Sequence, residues 1–387
     1  MVEFNNTEIA FRYKTNAGMR RAYWLFRMIS NPGLVKFIKK FTLIALKLRL
    51  PVAWAIKPTL YRHFVGGETI EECLATTELL GKYHVRTILD YSVEGGKDIA
   101  TMERTLAETL RTVENAANNP NIPFAVFKPT AFASAEVLTM ASEGKTLNNE
   151  VVQGIIRFRQ YVDVLCNSAW EKGIPIMIDA EDSWYQDFID EVVTEMMQKY
   201  NKEKAIVFNT LQMYRTDRID FLKKSIGKAR TGNYFLGIKF VRGAYMEKER
   251  KRASEMGYPS PIQPDKAATD QSYDEALRIS ISNLDQMMLF NGSHNENSNM
   301  LLVELMESNG IRKDDPRVWF SQLYGMSDHI SFNLANAGYN VAKYVPYGPI
   351  HNILPYLLRR AEENTAIAGQ TGRELSLILA EQKRRKM

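Results

Sequence analysis

The sequence predicts an α/β protein built as a (β/α)8 barrel with an N-terminal helical arm. Three observations carry that prediction: eight short runs rich in β-branched and aromatic residues, an interval long enough for a helix between successive runs, and a polar or bulky residue closing nearly every run. Strands buried on both faces read as near-continuous apolar runs, which suits a closed parallel sheet better than an open one. A chain of 387 residues with 45% hydrophobic and 25% charged residues buries a large core, which excludes a disordered, collagen-like or wholly membrane-embedded protein.

Residues 1–85 read as helical segments punctuated at Asn31-Pro32-Gly33, Lys57-Pro58 and Gly66-Gly67, forming the arm. The barrel domain then occupies 86–387, with strands expected at Thr87–Val93, Phe124–Thr130, Pro175–Ala180, Ala205–Leu211, Phe235–Val241, Met287–Gly292, Val318–Leu323 and Asn340–Val345. At or just past their C-terminal ends stand Glu94, Lys128, Asp179, Gln212, Arg242 with Tyr245, His294, Gln322 and Tyr344. A barrel gathers its strand ends on one rim, where its active site lies. Any single polar residue there is more often a loop starter than a functional group; their joint placement is the stronger signal.

Other chemistries lack their motifs. Neither Gly66-Gly67 nor Gly95-Gly96 supplies G-x-G-x-x-G, and Gly144-Lys145-Thr146 lacks the leading glycine of a phosphate loop because position 139 is Thr139. The five histidines show no metal-ligand spacing, so no metal is expected. Cys73 and Cys166 form no C-x-x-C pair, and they read as core residues of a protein in a reducing compartment. The N-terminus lacks the order of a secretory signal, and the formal charge of +5 is too small to argue for nucleic acid.

Two groups of residues carry chemistry. Tyr356, Arg359, Arg360 and Glu363 recur at helical spacing after the eighth run. Two readings of the arginines fit equally: a bidentate clamp on an anion, or a solvated pair bridging to neighbouring glutamates. Lys128 closes an apolar run ahead of Pro129, and it fits either a Schiff-base nucleophile or a fixed cation with Asp179 as its counter-ion.

Phe127-Lys128-Pro129-Thr130, Ile178-Asp179-Ala180-Glu181, Val241-Arg242-Gly243-Ala244-Tyr245, Ser293-His294-Asn295, Tyr344-Val345-Pro346-Tyr347-Gly348 and Arg359-Arg360-Ala361-Glu362-Glu363-Asn364 together resemble, in order, the proline dehydrogenase family of proline catabolism. The resemblance runs from about residue 85 to the C-terminus. It implies a distorted, TIM-like (β/α)8 barrel with FAD at the C-terminal ends of the strands. It also implies oxidation of L-proline to 1-pyrroline-5-carboxylate by hydride transfer to flavin N5. The length implies the monofunctional form, with electrons passed to a quinone and the product consumed by a separate pyrroline-5-carboxylate dehydrogenase.

Residue by residue, the resemblance implies that Arg359 and Arg360 hold the proline carboxylate and that Lys128 adds a third positive charge. Tyr245, Tyr344 and Leu323 line the ring. Gln212, Lys239, Arg242, Gly243, Ala244, His294 and Asn295 hold the cofactor, Asp179 holds the lysine, and Glu94 pairs with Arg359 when the site closes. Lys239 and Arg242 stand where some relatives exchange lysine and arginine. Hydroxyproline is an alternative substrate, against which Tyr344 would crowd the ring. A colourless Schiff-base lyase or aldolase using Lys128 is the alternative from another class, and a basic membrane or nucleic-acid module is the non-enzymatic one. Residues 34–52 place Leu34, Ile38, Phe41, Ala45 and Leu48 opposite Lys36, Lys40 and Lys47. That pattern suggests docking on the inner face of a membrane by an otherwise cytoplasmic protein, or equally a helix packed on the barrel.

Overall fold

A computed structural model describes residues 2–31, 33–35, 40, 57–92, 98–144, 148–366 and 370–387. Its elements run α1 (Thr7–Phe11), α2 (Asn16–Ile29), α3 (Ile70–Gly81), β1 (Val85–Tyr91), α4 (Ile99–Asn118), β2 (Ala125–Phe127), α5 (Ala135–Glu143), α6 (Asn149–Glu171), β3 (Ile176–Ile178), α7 (Ser183–Tyr200), β4 (Val207–Gln212) and α8 (Arg218–Thr231). They continue with β5 (Leu236–Val241), α9 (Met246–Met256), α10 (Lys266–Ile281), β6 (Met287–Gly292), α11 (Glu296–Ser308), β7 (Val318–Leu323), α12 (Asp328–Asn336), β8 (Val341–Tyr347), α13 (Ile350–Ala366) and α14 (Gln370–Arg384). Eight strands alternating with helices make this a (β/α)8 fold.

All eight expected strands are present, six of them with shifted ends. β2 and β3 are only three residues long. β2 ends because Lys128 precedes Pro129, whose ring holds the preceding residue extended and whose nitrogen has no hydrogen to donate. β8 runs two residues further than expected, through Pro346 to Tyr347, so Tyr344 lies inside the strand and not at its end. α4 and α6 start where side chains cap them: Asp98 accepts from the Thr101 N–H at 2.8 Å, and Asn148 accepts from the Val151 N–H at 2.9 Å.

Contacts divide the chain into two compact units, Met1–Val93 with Gln322–Met387, and Glu94–Ser321. In the first, β1 and β8 pair in parallel from Val85↔Val341 to Tyr91↔Tyr347. Its apolar cluster joins Met19, Phe26 and Ile29 of α2 to Phe64 and to Ile353 and Leu357 of α13. In the second, β2, β3, β4, β5 and β6 follow one another in parallel register, and β6 pairs with β7 from Leu289↔Val318 to Gly292↔Ser321. Phe124 packs edge-on against Phe208, Phe290 and Trp319 at 5.2–5.7 Å between ring centres. Cys73 and Cys166 are both buried free thiols, and burial pushes Cys73 up to about 12, so each acts as a small apolar side chain.

Gly237 shows how closely β4 and β5 approach. A Cβ there would stand 2.6 Å from the Val207 carbonyl and 2.8 Å from the Phe208 ring. Gly237→Ala is therefore expected to cost about 1–3 kcal/mol through overpacking. A lowered urea midpoint at unchanged m-value checks this, and an unchanged midpoint contradicts it.

Candidate functional site

The unit Glu94–Ser321 assembles its candidate residues at the ends of β2, β3, β4 and β5. Asp179 follows β3, its N–H donating to the Phe127 carbonyl of β2 at 3.0 Å. Its carboxylate stands between two ammonium groups: Lys128 at 3.6 Å on one oxygen, and Lys239, hydrogen-bonded to the other. Lys239 is buried in β5 and pairs in register with Thr210 of β4. Burial alone would raise the Asp179 carboxyl. Lys239 and Lys128 outweigh burial and hold it below its ordinary value.

Beside this triad, Gln212 closes β4 with its side chain buried, and its Oε1 has no hydrogen-bond partner among the described residues. A buried acceptor without a donor costs on the order of 1–3 kcal/mol, so this oxygen is able to accept from a donor that the described residues do not supply. The loop after β5 begins with Arg242, whose guanidinium is held by Asp270 at 2.7 Å, Ser293 at 2.7 Å and Ser298 at 2.9 Å, with its face 4.3 Å from the Tyr273 ring. Gly243 follows at φ +119, where a Cβ would come 2.5 Å from the Tyr214 ring; only glycine lets the loop lie on that ring. Gly243 and Ala244 are exposed, and Tyr245 is half-buried. After β6, His294 is half-buried, while Asn295 caps α11 by accepting from the Ser298 N–H at 3.1 Å.

Glu181 appears in the sequence only as part of a motif, with no role assigned. Here both its oxygens hold Thr130, accepting from its N–H at 2.9 Å and its hydroxyl at 2.7 Å. That grip fixes the turn directly after Lys128. Burial lifts Glu181 to about 7, against the pull of the Thr130 bonds.

The other unit carries Leu323, Tyr344, Arg359 and Arg360. Tyr344 is buried in β8, and its carbonyl accepts from the Tyr324 N–H at 2.8 Å. Leu323 ends β7 and is partly buried against the apolar cluster. Arg359 and Arg360 are half-buried on α13, and the Arg360 guanidinium lies 5.1 Å over the Tyr356 ring. Glu94 and most of the stretch 34–52 lie outside the described residues, as does the side chain of Glu363. No helix among the described residues is long and apolar enough to cross a membrane.

A family model described as proline dehydrogenase matches residues 73–373. The chain is 35% identical over 322 residues to the carbapenem antibiotics biosynthesis protein CarD of Pectobacterium carotovorum subsp. carotovorum, covering 83% of this chain and 83% of that one. It is 32% identical over 397 aligned positions to proline dehydrogenase 1, mitochondrial, of Dictyostelium discoideum, covering 90% of this chain and 68% of that one. Among solved structures it matches proline utilization A (PutA) from Bdellovibrio bacteriovorus, inactivated by N-propargylglycine, with a TM-score of 0.75 at 20% identity. That match covers 96% of this chain and 40% of the PutA chain, and at this identity the likeness is one of fold.

The Asp179 cluster makes a prediction of its own. Because Asp179 titrates below its ordinary 3.8 when folded, the stability it contributes is present above that value and is lost as pH falls through the lower folded value. Asp179→Asn leaves the Lys239 ammonium buried without its carboxylate and is expected to cost about 3–5 kcal/mol at neutral pH. The variant should also lose less stability than wild type on acidification. Urea unfolding at a series of pH values measures both, and parallel stability curves for the two proteins would refute the assignment.

Proposed function

We start from the fact that this chain belongs to the proline dehydrogenase family, an oxidoreductase acting on proline, and we propose how its residues divide that work. The product is 1-pyrroline-5-carboxylate, and the cofactor is a flavin, FAD. When bound, FAD supplies the acceptor for two electrons and a hydrogen, which no side chain of this protein can take. The observation that carries the reading is the Lys128–Asp179–Lys239 cluster beside the unmatched oxygen of Gln212.

These residues fit a flavin ring chemically. The Gln212 oxygen needs an N–H donor, and an isoalloxazine ring carries one on its imide edge. Lys239 would offer a buried positive charge to such a ring, which gains negative charge on reduction. Asp179 keeps both lysines from repelling each other, and Lys128 remains the more accessible of the two cations. Arg242, Gly243, Ala244, His294 and Asn295 hold the rest of the cofactor.

Arg359 and Arg360 bind the substrate carboxylate. Neighbours on a helix point about 100° apart, so the two guanidinium groups approach one carboxylate from different sides. The face of Tyr356 restrains Arg360 for that task. Tyr245, Tyr344 and Leu323 wall the pyrrolidine ring, and Glu94 pairs with Arg359 on closure. Electrons leave to a quinone at a membrane surface, and a separate dehydrogenase takes the product. The two buried thiols support a reducing compartment.

The deciding experiment is an absorption spectrum of the purified protein before and after proline is added without oxygen. A yellow protein bleached by proline is expected. Lys128→Met should keep the colour but bleach at least about tenfold more slowly, because a fixed cation beside the reacting centre is lost. Arg359→Met and Arg360→Met should each raise the KM for proline by on the order of 30-fold, the equivalent of about 2 kcal/mol for a charge-assisted bond left half-made. A colourless protein trapped by borohydride would replace this reading with a Schiff base on Lys128. Equal bleaching by hydroxyproline would overturn the role given to Tyr344.

A further inference from the structure

Lys343 stands immediately before Tyr344 in β8, on the opposite face of the strand, and its side chain is completely buried. Three groups surround its ammonium. It forms an ion pair with Asp328 at 3.0 Å, donates to the Leu323 carbonyl at 3.3 Å and donates to the Met326 carbonyl. Asp328 opens α12 and also takes Lys14 at 3.2 Å and the Tyr13 hydroxyl at 2.7 Å, so one carboxylate serves both lysines.

The backbone between Leu323 and Asp328 is an unfavourable one. Gly325 sits at φ +78 with the His63 carbonyl 2.3 Å from where a Cβ would be, and Ser327 adopts φ +50 without being glycine. Side chains hold it there. His63, which burial drives down to about 3 and so keeps neutral, donates from Nε2 to the Gly325 carbonyl at 2.8 Å. The Ser327 N–H donates to Glu374. Lys343 reaches two carbonyls of the turn at once, three residues apart, while also gripping the first residue of α12.

We propose that Lys343 is a positioning residue for the substrate ring: it fixes the turn that carries Leu323 and thereby sets Leu323 against its neighbour in sequence on β8, Tyr344. The Tyr324 N–H, bound to the Tyr344 carbonyl at 2.8 Å, joins the two at the backbone. A hydrophobic residue of similar length would fill the space but remove the ammonium's bonds to both carbonyls. The proposal rests on the reading that Leu323 and Tyr344 line the proline ring.

The test uses the holoenzyme with Lys343→Met, which keeps Asp328 paired with Lys14, and with Lys343→Met combined with Asp328→Asn, which removes the carboxylate as well as the ammonium. Hydrogen exchange of the segment 323–328 and proline kinetics are measured together. In the double variant the Tyr324 and Ser327 amides should exchange at least about tenfold faster while those of β6 keep their protection, and KM should rise about tenfold with kcat within about threefold. Unchanged exchange of the turn, or unchanged KM with a loosened turn, overturns the proposal. Leu323→Ala separates the two levels. If it raises KM while the double variant does not, the lining reading stands and the role of Lys343 falls. If Leu323→Ala leaves KM unchanged, the lining reading falls and takes this proposal with it.

Discussion

The unit Glu94–Ser321 depends on one carboxylate placed between two ammonium groups. Lys239 is buried in β5, and an ammonium there without a partner would cost several kcal/mol and give up its proton instead. Asp179 prevents that only by standing at the end of β3, within reach of β5 and of Lys128 beyond β2. Three strand ends are thus set relative to one another by charge, in a region where β2 and β3 contribute only three residues each to the ladder. A buried ion cluster of this kind adds little net stability over apolar packing; what it supplies is a fixed arrangement of charge. Glu181 extends the arrangement by gripping Thr130. Its own N–H reaches Gln186, which binds Asp190, and Asp190 is held in turn by Arg218 at 2.7 Å. The cation at the mouth of β2 is therefore braced from the helix layer inward.

Much of the fold was legible because strands buried on both faces announce themselves as apolar runs. Met287–Gly292 and Val318–Leu323 match their strands end for end. The strand ends that moved did so for reasons a run of hydrophobic residues does not show. Proline at 129 stops β2 early. At 346 it is tolerated inside β8, where the Pro346 carbonyl still accepts from the Gly66 N–H at 2.9 Å. Polar residues closing a run were conspicuous, which is how Lys128, Asp179 and Gln212 came forward. Lysines inside a run were not. Lys239 was reached only through family resemblance, and Lys343 was passed over, although each interrupts an otherwise apolar strand. A charge in such a place is rarely tolerated without a designated partner, and that is the signal that would have found both. The partners themselves, Asp179 for one and Asp328 for the other, lie 60 and 15 residues away in sequence, and no local pattern connects them.

The two buried lysines show one device put to different ends. Lys239 has a short bond to a carboxylate that also serves a second cation, so the group it belongs to keeps a net positive charge. Asp328 likewise serves a second cation, Lys14, and what sets Lys343 apart is that it spends its remaining donors on backbone carbonyls, so its contribution is geometric.

The net charge of the Lys128–Asp179–Lys239 cluster bears on the chemistry proposed for it. Proline reaches an enzyme with its amine protonated, and the amine must be neutral before a hydrogen can leave the adjacent carbon. No carboxylate or histidine needs to be singled out to make that happen if the surroundings already disfavour a second cation. Like charges lower the pKa of an amine placed among them, and exclusion from water lowers it further. With its single carboxylate committed to two lysines, the cluster has no free anion to stabilise a protonated amine, whereas it does favour the substrate carboxylate. One arrangement of charge then selects both the handle by which proline is held and the protonation state in which it reacts. With proline bound as proposed, this accounts for cations gathered around a substrate whose own nitrogen begins as one.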